Sequence, residues 1–119
     1  MINVKCEETD IERSPYVVLY GDYGNENADT PSKAIALWFK YEKTNRADAA
    51  IIAFEKSKAI ELMDWAYNNK EKIKQLHSKY DNPYKLDYIL DSIDRHHGDD
   101  YKYFHEGESG DQIDPFSFG

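Results

Sequence analysis

Apolar positions along the chain fall into short solid runs and longer runs stepped by three and four residues, and the two patterns predict different elements. Tyr16-Val17-Val18-Leu19-Tyr20 is β-branched and aromatic and is bounded by Pro15 and Gly21, which predicts a buried strand. Ala49-Ala50-Ile51-Ile52-Ala53-Phe54 predicts a second strand in preference to a helix start, because Ser57 then offers a fresh helix cap. Ile2–Cys6 alternates weakly and reads as a short strand, and Tyr101–His105 reads as an edge strand. Gly21–Thr30, dense in Gly, Asn and Asp, reads as a loop, and Thr44–Asp48 as a turn.

Three helices are expected. Thr30 caps the first, with Pro31 at the first helical position, where its missing N–H costs nothing. Ile35, Trp38, Phe39 and Glu42 share one face, and Ala34, Leu37 and Tyr41 another, so its apolar arc is wide. The second runs from about Lys58 to Lys79 along Ala59, Leu62, Ala66, Ile73, Leu76 and Tyr80, with Asn68-Asn69 the place where it would break. Asp81 or Asn82, followed by Pro83, caps the third, whose stripe is Leu86, Ile89, Leu90, Ile93 and His97 and whose stop is Gly98.

Ser32-Lys33-Ala34-Ile35-Ala36-Leu37 recurs as Ser57-Lys58-Ala59-Ile60-Glu61-Leu62, each copy after an expected strand. Coincidence between two helix starts is one reading; two βα units, with their strands in a parallel pair, is the other. The fold class is therefore α+β, or α/β on the second reading: a small sheet of two to four strands with about three helices packed on one side. Residues 1–105 make a single domain, and 106–119 an acidic tail, extended or mobile.

Composition narrows the class of function. The chain has 119 residues, 40% of them hydrophobic and 14% aromatic, with ten tyrosines, which argues against wholesale disorder. The single cysteine, Cys6, excludes an intramolecular disulfide and stands beside Glu7 and Glu8, which disfavour a thiolate nucleophile. Apolar runs are too short to span a bilayer, and the start lacks the apolar core of a signal peptide, so no membrane association and a cytoplasmic location are expected.

The net charge of -8 is unevenly spread: residues 32–80 are net basic, whereas the segments before and after them are strongly acidic. That balance disfavours direct binding to nucleic acid, whose phosphates would be repelled. Gly21-Asp22-Tyr23-Gly24-Asn25 lies where phosphate-binding loops lie, yet Asp22, Glu26 and Asp29 would repel an anion and no Gly-Lys-Ser/Thr follows. Asp22, Asn25, Asn27 and Asp29 do not follow the EF-hand spacing either. No cofactor is expected.

The third helix carries the main functional signal. Asp87, Asp91 and Asp94 line one face, about 6 Å apart per four residues. Like charges so placed weaken an isolated helix by a few tenths of a kcal/mol per pair, roughly. Asp99, Asp100, Glu106 and Glu108 extend the charge, and Trp65, Tyr101 and Tyr103 are the expected aromatic anchors. Together these ten residues predict a surface that binds a basic protein, one that itself binds DNA or RNA. In size and acidity the chain is similar to small anti-defence proteins of phages and plasmids, including nucleic-acid mimics and anti-CRISPR inhibitors. That likeness implies a non-enzymatic inhibitor acting in the host cell cytoplasm.

Two other classes are open at this level. His96, His97 and His105 with Asp94 form the densest ligand-like cluster and suit a metal-dependent enzyme, although adjacent helical residues point about 100° apart. A homo-oligomeric structural protein would use the wide apolar helix Ser32–Lys43 as its interface.

Overall fold

The computed structural model describes residues 14–21, 24–42 and 49–117. The strand expected at Ile2–Cys6, Cys6 itself, Asp22 and Tyr23, and the turn at Thr44–Asp48 lie outside the described residues. The fold is α+β: four strands, β1 (Tyr16–Tyr20), β2 (Gly24–Ala28), β3 (Ala49–Ala53) and β4 (Asp111–Ser117), form one sheet in the order β2-β1-β3-β4. Four helices accompany it: α1 (Pro31–Glu42), α2 (Lys56–Asn68), α3 (Lys70–Tyr80) and α4 (Leu86–His96).

Every strand pair is antiparallel. The βα-repeat reading is thereby corrected. β1 and β3 are neighbours, but β2 intervenes between β1 and α1, so no right-handed crossover links a parallel pair. β2 also corrects the expected loop. Its sequence, Gly-Asn-Glu-Asn-Ala, has low strand propensity, and its pairing with β1 decides the matter. Gly24 lies opposite Tyr20, and a Cβ there would run into the Tyr20 ring, so the cross-strand aromatic covers the glycine. Tyr20 in turn stacks on Tyr41 of α1 at 3.7 Å, and the Tyr41 hydroxyl donates to Glu26 Oε1 at 2.5 Å. The edge strand, paired along its length with β1, is thus also held to α1 by one charge-assisted hydrogen bond, with the Tyr20 ring over Gly24.

Alternation along the strands sets the core. Tyr16 and Val18 are buried, together with their partners Ala28, Ile51 and Ala53, and this face carries the helices. Leu19, Asn25 and Asn27 belong to the opposite, open face, where Leu19 is 39% exposed. α1 begins as the spacing predicts: Thr30 Oγ1 accepts the Lys33 N–H at 3.1 Å. Its Ala34, Ile35, Leu37, Trp38 and Phe39 are all buried in the chain's own core, so the helix proposed as an oligomer interface is already covered.

The long second helix divides at Asn69, whose side chain donates to the Trp65 carbonyl at 2.8 Å. Ser57 is not the cap of α2. That helix starts at Lys56, and its first free N–H donates to Glu106 Oε2 at 2.8 Å, a carboxylate from far along the chain. α4 starts at Leu86, later than Asp81 or Asn82 predicts. Asp81 takes the left-handed conformation that ends α3, and Asn82 Oδ1 accepts the Tyr84 N–H in a turn that holds Pro83 outside the helix. Gly98, at φ +92°, follows the end of α4 as expected.

Beyond α4 the expectations change most. Tyr101–His105 is a turn, with Tyr101 at φ +51° and the Phe104 N–H bonded to the Tyr101 carbonyl at 3.0 Å, and not an edge strand. Asp111–Ser117, assigned in sequence to the acidic tail, is β4, with Ile113 and Phe116 fully buried and Phe116 edge-on to Trp38 at 5.3 Å. The two apolar side chains, not the acid between them, decide where this segment goes.

Candidate protein-binding cleft

The turn after α4 and the incoming strand β4 enclose a cleft of about 340 Å³. Its walls carry Asp99, Asp100, Asp111 and Asp114, with His96, Tyr101, Lys102 and Tyr103 around them. β4 is what brings Asp111 and Asp114 here, because its pairing with β3 returns the chain past the end of α4. In the sequence those two carboxylates are only part of the acidic 106–119 segment. No local signal marks them, since a long-range strand pairing places them.

The cleft is polar and mostly negative. Asp100 Oδ1 accepts the Lys102 N–H at 3.1 Å, which bends the turn. Asp111 Oδ2 accepts the His105 N–H at 3.3 Å, and His105 Nδ1 lies 3.6 Å from the same carboxylate. His96 Nδ1 is 2.8 Å from the Ser92 carbonyl, which can only accept, so Nδ1 carries the proton and Nε2 faces Asp114 at 3.9 Å. That contact is attractive only when the ring is charged. The Tyr101 hydroxyl is buried and has no hydrogen-bond partner among the described residues. Burial, then the negative fields of Asp99, Asp114 and Asp64, push its pKa well above the ordinary tyrosine value. Tyr101 is consequently a neutral floor packed edge-on to Phe104, not an exposed anchor. Tyr103, 83% exposed, is the aromatic of the cleft that solvent reaches most.

The remaining predicted residues are placed elsewhere. Asp87, Asp91 and Asp94 do share the exposed face of α4, but Asp91 pairs with Arg95 at 2.9 Å and Asp94 pairs with Lys70 of α3. Much of that row's charge is therefore compensated within the chain. Glu106 caps α2, and Glu108 lies in an exposed bend outside the cleft. Trp65 is half-buried in a different groove, where its neighbours include Lys72 and Lys79 instead of acids.

The ligand-like cluster is also dispersed. His97 Nε2 donates to Asp64 Oδ1 at 2.9 Å and its ring stacks on Tyr67 at 3.9 Å, while Lys70 approaches the Tyr67 ring at 4.6 Å. His96, His97, His105 and Asp94 thus engage four different partners, Asp114, Asp64, Asp111 and Lys70. Among the described residues no three His, Cys, Asp or Glu side chains converge as metal ligands would. None of the described helices is long and apolar enough to cross a membrane. Compared with models of known families, with curated proteins and with solved structures, the chain has no match.

Proposed function

We propose that this protein is a non-enzymatic binding module that takes a lysine or arginine side chain of a basic, nucleic-acid-handling protein into the Asp99–Asp114 cleft. The observation that supports this reading is that four aspartates line one open cleft beside an exposed tyrosine. Carboxylates repel phosphate and suit a guanidinium, which each can bind through two parallel hydrogen bonds. Tyr103 supplies an aromatic rim of the kind that anchors protein interfaces. The α4 aspartates extend the negative surface and contribute to steering more than to the bound contact, because two of the three already have cationic partners. A partner whose basic groove is so occupied is closed to DNA or RNA, and inhibition follows.

The test uses the whole protein immobilised in extract of its native host, beside a variant carrying Asp99→Asn, Asp100→Asn, Asp111→Asn and Asp114→Asn. A basic protein retained by the wild type and lost with the variant, with a thermal melt showing the variant folded, supports the reading. Equal retention by both removes the cleft from the mechanism.

A further inference from the structure

A second concave surface lies between α1 and α3, a groove of about 270 Å³ whose character is opposite to that of the acidic cleft. Trp65 and Leu76 are its apolar lining, Ser32 and Ala36 of α1 leave it room, and Lys72 and Lys79 stand along it. Both lysines are exposed, and among the described residues neither has a carboxylate within ion-pair distance. They are seven positions apart on one helix, so their attachment points are about 10 Å apart along the axis. Two charges set that far apart with an apolar patch beside them do not converge on one small anion. They fit an elongated partner with two carboxylates two helical turns apart and an aromatic or aliphatic group alongside.

The molecule itself carries such a partner. On α4, Asp87 and Asp94 are also seven residues apart, with Asp91 between them, and Tyr88, 47% exposed, lies on the flank of the row. Among the described residues Asp87 forms no ion pair, and Asp94, paired with Lys70, keeps half of its side-chain surface exposed. We propose that α4 of one copy docks its Asp87–Asp94 row against Lys72 and Lys79 of a second copy, with Tyr88 against Trp65 and Leu76. Donor and acceptor surfaces are different, so the contact is heterologous: a bound pair still offers one free groove and one free α4 row, and assembly continues by addition. The copies repel through their net charge of -8, but physiological salt screens that repulsion beyond about 8 Å and leaves the close pairs intact. This contact rests on the α1–α3 groove and the α4 row and uses none of the aspartates of the Asp99–Asp114 cleft.

Sedimentation velocity from about 10 μM to about 1 mM reads the outcome, a range that spans weak association. The wild type is expected to show a mean sedimentation coefficient that climbs without levelling at the dimer. Lys72→Glu with Lys79→Glu, and separately Asp87→Lys with Asp91→Lys, are each expected to weaken association by about tenfold or more. An equimolar mixture of the two variants is expected to regain it, because each presents a surface complementary to the other. A monomeric wild type across the range overturns the proposal and leaves the groove to some other acidic protein. Association that survives either double substitution, or is not regained on mixing, overturns it as well. Retention of a basic partner by the cleft is unaffected by the lysine substitutions, so failure here and failure of the proposed function are read separately.

Discussion

The carboxylate of Glu42, buried at the end of α1, accepts the backbone N–H of Ala49 at 2.8 Å, while Trp38 one turn earlier donates its indole N–H to the carbonyl of the same residue at 3.1 Å. Both polar groups of the first residue of β3 are therefore satisfied by side chains of the helix packed on the sheet. Glu42→Leu fills similar space but strands the Ala49 N–H, and is expected to cost about 1–3 kcal/mol. Glu42→Gln, which keeps an acceptor oxygen, is expected to cost less. Chemical denaturation of the two variants checks the order.

The Gly24–Tyr20–Tyr41–Glu26 chain predicts the behaviour of the edge strand. Gly24→Ala forces the Tyr20 ring out of its stack on Tyr41, with an expected cost of about 1–3 kcal/mol from overpacking. Tyr41→Phe keeps the rings and removes the hydroxyl that donates to Glu26, for about 1 kcal/mol. Hydrogen exchange is expected to show faster opening of Gly24–Ala28 in both, with the buried part of β1 little changed.

Alkaline pH is expected to destabilise the fold through Tyr16. Its hydroxyl donates to the Lys58 carbonyl at 2.7 Å, and burial, then the negative charge of Glu61, push its pKa well above the ordinary value. The unfolded chain loses this proton near pH 10, whereas the folded chain keeps it. Stability is then fully present below pH 10 or so and falls as pH rises, by about 1.4 kcal/mol per pH unit for this one group. Tyr16→Phe is less stable at neutral pH but is expected to show a shallower alkaline decline. Denaturant melts at several pH values measure both slopes.

Glu106 separates a structural role from a binding one. As the cap of α2, its replacement by Ala is expected to cost about 1 kcal/mol of stability while leaving partner retention unchanged. Loss of the partner without loss of stability would return Glu106 to the binding surface.

The α4 row and the cleft are also separable. Asp87→Asn, Asp91→Asn and Asp94→Asn together are expected to slow association with a basic partner and flatten its salt dependence, leaving dissociation nearly unchanged. The four cleft substitutions are expected to speed dissociation. Stopped-flow or surface-binding kinetics at two salt concentrations distinguish them.

Local rules were enough for β1, for β3, for the Thr30-Pro31 start of α1 and for the exposed Asp87–Asp94 row, and they marked Asn68-Asn69 as the place of a break without deciding that the expected single helix divides there. Each depends on interactions within a few residues: a cap, a φ preference, or a stripe of apolar side chains that must face one way. β2 and β4 lack such signals, and both are strands because their backbones complete hydrogen bonds with a neighbour already in place. Tertiary structure alone decided that Glu106 caps a helix instead of facing a partner, that Tyr101 is floor and Tyr103 rim, and that Asp111 and Asp114 join Asp99 and Asp100. The reason is physical: charge and polarity are legible residue by residue, but which carboxylates converge depends on where distant apolar anchors such as Ile113 and Phe116 are buried.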